Sequence, residues 1–512
     1  MKNILNNNWF QFLLFTGVVW LVFVHLHINR HLEDIIIGPH FWRKSDTYAQ
    51  IMNYYYNGLN FFDHGIYFNQ LDSNGKALGE FPLIYWIIAA QLKWFGYSVL
   101  LIKVNWLIIL LVGLFSVYKI SVYFLKHIFY ALIVALLLFL SPVFTFYSID
   151  YLPDPLALNI TFFGLWFLLK NYISPSRFNL AVGIGLISIG GMIKPFFLIP
   201  FIALICVLLV KRVVFKEKQN ILVWQYGIPF AFVGLWFVYS GWYNSTSGSD
   251  YFLSSTRPIW SYGNERILAI FNKVTTFWSE HYFHDSLYYI FFSLMVLNLI
   301  SWKKVWVNIN LFYLFCVLGV LAFISLFYEM FFDHDYYVYP ILFILPLTVG
   351  ITLFKLNFFL KSKVSQSVLA VVLLVLLFLG LNNSWEKNQG YRKKGWINNR
   401  YIFEKYQRLE PFLLRSNVQQ NDLIVTASDM SPCFALSLLN RKGWSGYQIK
   451  RKFTIDKMIK EGAKFMVIND QVKLPFKDSS QVSLYLDYPI ADTNHVFIYD
   501  LQPYKLNKKW QK

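Results

Sequence analysis

PLIYWIIAAQLKWFG, residues 82–96, is the stretch on which the layout of the chain turns. It is apolar, yet shorter than the ~20 residues a helix needs to cross a bilayer, and Gln91 and Lys93 lie inside it. If it crossed, every later loop would change sides. Read as an amphipathic helix lying in the outer interface, it leaves the loops sorted by charge.

Apolar segments near 9–28, 98–124, 128–149, 155–171, 178–193, 195–210, 222–241, 284–302, 309–328, 336–354 and 365–382 predict about eleven spanning helices. One set of connecting loops carries Lys126; Lys170 and Arg177; Lys211, Arg212, Lys216 and Lys218; Lys303 and Lys304; and Lys355, Lys361 and Lys363, with Glu217 as its one acid. The other set holds Glu33, Asp34, Asp46, Asp63, Asp72, Glu80, Asp150, Asp154, Asp250, Glu265, Glu280, Glu329, Asp333 and Asp335. Short loops rich in Lys and Arg stay cytoplasmic. The acidic loops are therefore expected outside, with the N-terminus inside and the C-terminus outside.

Composition agrees with this reading. Of 512 residues, 56% are hydrophobic and only 14% charged, more apolar sequence than a soluble core could hide. The net charge of +18 is accounted for by the positive loops and calls for no nucleic acid. Cys206, Cys316 and Cys433 are too few for a disulfide framework and read as packing residues. The N-terminus has a basic start and an apolar centre without a small-x-small cleavage site, which reads as an uncleaved signal anchor. The expected fold is an α-helical polytopic membrane protein, residues 1–383 with a first outer loop at 29–97, followed by a small outer α/β domain at 384–512. In that domain NDLIVTASD reads as a strand and SPCFALSLLNRKG as a helix ended by Gly443. IDKMIKEGAKFMVIND reads as helix then strand, and HVFIYDL as a last strand. No phosphate-binding glycine pattern occurs there, and no internal repeat of the transporter kind occurs in the chain.

The chemistry-bearing residues fall on the expected outer side. Asp46, in WRKSDTY beside Arg43 and Lys44, reads either as a helix cap or as a functional carboxylate, since an acid near an apolar interface is costly unless used. Glu80 in GEFPLIYW reads as a helix-start acid or a site residue. Asp150 and Asp154 sit in a proline-bracketed loop, where capping and a polar pocket both remain open. Lys194, alone between apolar helices and next to Pro195, suits an anionic ligand such as phosphate, the alternative being snorkelling. Glu329, Asp333, His334 and Asp335 lie close in FYEMFFDHDYYVYP; a divalent metal is the weaker reading, because no HExxH-like spacing is present.

Taken in order, these residues resemble the GT-C class of membrane glycosyltransferases, in the bacterial branch related to protein O-mannosyltransferases and the lipid A aminoarabinose transferase. The matching positions are Asp46 with Tyr48, Pro82-Leu83, Asp154, Lys194, and His334 with Tyr336 and Tyr337, over about residues 10–350. The chain departs from that pattern at Thr47, where relatives carry a second acid, and at Glu80-Phe81, where relatives carry Lys-Pro. Arg43, Lys44 or Lys76 are then the nearby cations for a donor phosphate.

The resemblance implies inverting transfer from a polyprenyl-phosphate-linked sugar to an envelope hydroxyl, in a bacterial cytoplasmic membrane. Asp46 would be the general base and Asp154 a stabilising carboxylate. Arg43, Lys44, Tyr48, Glu80, Lys194, His334, Tyr336 and Tyr337 would bind substrate. No cofactor is certain, and neither the oligomeric state nor the acceptor is implied. A transporter or flippase of an anionic lipid is the alternative, but it would place charges at mid-membrane and break helices in pairs.

Overall fold

The computed structural model describes residues 8–34, 36, 38–69, 75–216, 223–252, 255–301, 303–357, 362–393, 397–450, 454–472 and 480–506. Asp72, Glu217, Lys218 and Lys361 lie outside the described residues. The chain divides into two compact units. The first comprises residues 1–33, 103–237 and 255–390; the second comprises 34–102, 238–254 and 391–512.

The first unit is helical. Each segment expected to span is mostly helical where it is described. Among the described residues, six helices are long and apolar enough to cross a membrane: Val99–Leu125, Pro153–Ile173, Pro195–Val213, Val307–Leu326, Asp335–Leu356 and Val364–Arg392. Asn264–Tyr282 and Asp285–Ile300 pass the same test jointly but bend by 99° at the break between them. Of the other expected segments, 9–28 and 178–193 form shorter helices, 128–149 is interrupted, and 222–241 contributes helix Ile228–Thr246. The stretch 128–149 breaks where Ser141 accepts from the Phe144 N–H and Pro142 opens a new helix, since proline suits a first turn but not a helix interior.

Pro153–Ile173 and Arg177–Ile193 are joined by a three-residue turn, 174–176, in which Ser176 caps the second helix by accepting from the Asn179 N–H. The two pack along their length, helped by Gly190, where a β-carbon would come within 2.5 Å of Thr161 Oγ1. An antiparallel pair with so short a turn returns the end of the second helix beside the start of the first. Asp154 lies in the first turn of one, and Lys194 directly follows the other. Both signs complement the helix dipoles.

The second unit contains a five-stranded sheet, ordered β2-β1-β3-β5-β4. Its strands are β1 (Leu423–Thr426), β2 (Gly443–Ser445), β3 (Ala463–Asn469), β4 (Pro489–Thr493) and β5 (Val496–Asp500). β1 runs parallel to β2 and β3, whereas β5 runs antiparallel to β3 and β4. Trp444, Met458, Met466 and Leu501 lie in its core.

Two local readings change here. The helix in SPCFALSLLNRKG is only Phe434–Leu438; the chain turns at Asn440, whose φ is 48°, and Gly443 opens β2 rather than closing a helix. The segment at 67–69 also joins this sheet. Phe68 makes a parallel bridge with Gly443, the Gly443 N–H donates to the Tyr67 carbonyl at 3.1 Å, and the Asn69 N–H donates to the Gly443 carbonyl at 2.8 Å. In the same unit are helices Phe41–Asn57 and Leu83–Phe95, the latter being the stretch quoted at the outset.

Candidate functional site

In the second unit, helix Phe41–Asn57 begins after His40, which adopts a left-handed φ of 55° and makes no side-chain cap. Asp46 lies more than a turn inside the helix, and the Ser45 hydroxyl donates to the Trp42 carbonyl at 2.6 Å. Neither caps the helix start, so the capping reading of Asp46 falls away.

Asp46 is 4% exposed and accepts from the Tyr251 hydroxyl at 2.9 Å. Arg43, three residues earlier on the same helical face, places Nη1 3.9 Å from Asp46 and Nη2 2.6 Å from Glu80 Oε2. The Tyr85 hydroxyl donates to the other Glu80 oxygen at 2.8 Å. Glu80 precedes its helix instead of starting it, and it pairs with Arg43. The buried Cys433 thiol also favours the charged form of Asp46.

These surroundings separate the two carboxyls. Burial by itself would push Glu80 up, but the Arg43 guanidinium outweighs it and holds the group below the usual range. For Asp46 burial wins over Arg43 and the Tyr251 hydroxyl, and the carboxyl is pushed up to about 7. Neighbouring acids with diverging affinities for protons divide the roles of fixed charge and proton acceptor.

Lys44 is fully buried, and the hydroxyls of Tyr48 and Tyr97 lie 3.0 Å apart. Lys76 is exposed. His64, which sequence reading did not single out, is ringed by tyrosines. Tyr54 Oη is 2.8 Å from its Nδ1, Tyr239 Oη is 3.4 Å from its Nε2, and the Tyr243 hydroxyl donates to its carbonyl. Burial lowers this imidazole to about 4, so it is neutral at physiological pH.

In the first unit, Lys194 Nζ bridges both oxygens of Asp154 at 2.8 and 2.7 Å. The ammonium lies 5.3 Å from the Tyr336 ring centroid and 5.6 Å from that of Tyr337, within cation–π range. His334 stacks on Tyr336, with centroids 5.3 Å apart and planes at 12°. Asp154, Lys194, Tyr336, Tyr337 and His334 thus form one cluster, assembled from three separate stretches of chain.

Three further acids have other partners. Asp335 accepts from the Tyr147 hydroxyl at 3.1 Å, and Glu329 forms a two-point pair with Arg266. Asp150 pairs at 3.1 Å with Lys103, a cation concealed in an apolar run and overlooked by the pattern. Among the described residues no group of three or more His, Cys, Asp or Glu side chains is arranged to hold a metal ion.

No family model and no curated protein matches the chain. Solved structures do. ArnT from Cupriavidus metallidurans bound to undecaprenyl phosphate superposes with a TM-score of 0.56 at 9% identity, over 95% of this chain and 97% of that one. Its apo form gives 0.55 at 12% identity over the same shares. The arabinofuranosyltransferase AftD from Mycobacteria gives 0.54 at 11% identity, over 95% of this chain and 40% of that longer one. Both proteins are GT-C glycosyltransferases, and this chain has their fold.

Proposed function

We propose that the chain is a multi-pass membrane glycosyltransferase. It moves a sugar from a polyprenyl-phosphate donor to a hydroxyl of a lipid, glycan or protein of the cell envelope, with inversion, on the outer face of a bacterial cytoplasmic membrane. The shared fold supports the kind of reaction, and the undecaprenyl phosphate bound by ArnT supports the kind of donor.

The observation that carries the assignment of the base is the setting of Asp46: inside a helix, free of capping duty and held by Tyr251. The acceptor oxygen attacks the anomeric carbon as the bond from that carbon to the phosphate oxygen breaks. The electron pair departs with polyprenyl phosphate, and the acceptor proton passes to Asp46. A base titrating near the working pH contributes about 10²–10⁴-fold to rate. Arg43 and Glu80 set the charge around Asp46 and keep one carboxylate ionised beside one cation.

Lys194 supplies an ammonium for the phosphate oxygens of the leaving lipid, since charge-assisted hydrogen bonds to phosphate are among the strong ones. Asp154 holds that ammonium by accepting hydrogen bonds at both its oxygens, and Tyr336 and Tyr337 present ring faces to it, with His334 stacked on Tyr336.

The test is transfer in liposomes. Purified protein is given a panel of polyprenyl-phosphate-linked sugars and envelope acceptors, beside Asp46→Asn. Wild type is expected to release polyprenyl phosphate in step with glycosylated acceptor, with the Asn variant slower by about 10²–10⁴-fold. Absence of transfer by wild type across the panel, or full transfer by a folded Asn variant, overturns this reading.

A further inference from the structure

We propose that Tyr251 and Cys433 are positioning residues for Asp46, which makes the C-terminal α/β domain a working part of the catalytic apparatus. This rests on the reading of Asp46 as the base.

The geometry comes from three separate parts of one unit. Asp46 belongs to helix Phe41–Asn57, Tyr251 to residues 238–254, and Cys433 to the C-terminal residues that carry the sheet. Tyr251 donates to Asp46 Oδ1. Its ring packs on Phe68, with centroids 5.3 Å apart, and Phe68 is the residue bridged to Gly443 at the start of β2. The sheet edge therefore reaches the Tyr251 ring through Phe68.

The segment before Tyr251 is fixed as well. Asn244 exchanges two 2.8 Å hydrogen bonds with the backbone of Leu78, two residues from Glu80. Cys433, fully buried, immediately precedes helix Phe434–Leu438, which packs on helix Phe41–Asn57. Trp42 meets Tyr447 edge-on at 5.0 Å and closes the same contact. The C-terminal domain thus reaches the neighbourhood of Asp46 by backbone pairing, by ring packing and by a thiol.

The groups facing Asp46 are Arg43 from its own helix, Glu80 with Tyr85 from residues 80–85, Tyr251, and Cys433 with Asp429 behind it. Burial and Glu80 favour the protonated acid; Arg43 and the two donors favour the carboxylate. Donors to a carboxylate stabilise its charged form. Losing either one therefore raises the pH at which Asp46 gives up its proton, while a structural role alone leaves that pH unchanged.

The experiment uses the full chain in liposomes and follows transfer against pH. The set is Tyr251→Phe, Cys433→Ala and Cys433→Ser, with Asp46→Asn as the reference. Hydrogen bonds to charged groups are strong enough to move the acid limb by about one pH unit. Tyr251→Phe and Cys433→Ala are expected to show that upward move with most of the alkaline rate retained, and Cys433→Ser, which keeps a donor, to restore the wild-type limb. An unmoved limb in both donor-deleted variants, or a uniform loss at every pH, overturns the proposal.

A second readout separates this failure from failure of the base assignment. Carboxyl titration of Asp46, taken as the infrared difference between each protein and its Asp46→Asn counterpart, does not depend on turnover. If Asp46→Asn still transfers sugar but the titration moves in the Phe and Ala variants, the base assignment falls and the positioning stands. If Asp46→Asn is inactive and the titration does not move, the positioning falls alone.

Discussion

Lys194 Nζ spans the two oxygens of Asp154 at 2.8 and 2.7 Å, across a helix pair whose dipoles favour both charges. The Asp154 side chain is 2% exposed. An anionic ligand at Lys194 therefore meets a cation already held in place by a buried carboxylate.

Removing only the cation leaves that carboxylate unpaired. Lys194→Met is expected to lose about 3–5 kcal/mol of stability, as when one partner of a buried pair is deleted. Thermal unfolding in detergent checks this. Lys194→Met with Asp154→Leu should recover most of that stability yet stay inactive; recovered transfer in the double variant would remove Lys194 from phosphate binding.

Arg43 and Glu80 act on Asp46 with opposite sign. Arg43→Met is expected to raise the acid limb of the transfer profile. Glu80→Gln is expected to lower it, because it deletes a like charge and frees the guanidinium for Asp46. Shifts in the same direction, read from kcat/KM against pH, would contradict this assignment.

Asp46 also links stability to pH. Its folded pKa, about 7, lies above the unfolded value, so between the two the native state binds more protons and stability falls as pH rises. Its contribution is fully present in acid and lost as pH passes the folded value. Asp46→Asn, which cannot ionise, should therefore narrow the difference in unfolding midpoint between pH values of about 5 and 8. An unchanged difference would show that Asp46 is ionised throughout.

Gly443 has a φ of 151°, and a β-carbon there would stand 1.9 Å from the Ile424 carbonyl oxygen. Gly443→Val is expected to cost on the order of 3 kcal/mol or more, since backbone must move to admit the side chain. Limited proteolysis should then cut faster both near residue 443 and in the loop at 61–69, because the Phe68 bridge is lost with it. Cleavage confined to the C-terminal domain would contradict that coupling.

The helices were legible because apolar runs and basic loops follow the bilayer rather than long-range pairing. Lys194 was legible for a related reason: a lone cation beside proline, between apolar helices, has few uses. Asp46 was found but its neighbourhood was not, since Tyr251 is 205 residues away and Cys433 lies in a domain without a motif. Lys103 was missed because apolar periodicity conceals a cation whose carboxylate comes from a distant turn, between helices Pro142–Tyr147 and Pro153–Ile173. The amphipathic helix Asn264–Lys273 was missed as well, because Glu265, Arg266 and Lys273 interrupt any apolar run.

The bridge between Phe68 and Gly443 carries a consequence for biosynthesis. Tyr67, beside Phe68, donates to Asn440, 373 positions later in the chain. A ribosome makes the Asp46 helix early and its supporting strand near the end. Chains that stall before residue 433 lack both the edge that pairs with Phe68 and the Cys433 thiol. On the proposed function, transfer would then await completion of the C-terminal sheet, and unfinished copies would leave the lipid-linked donor untouched.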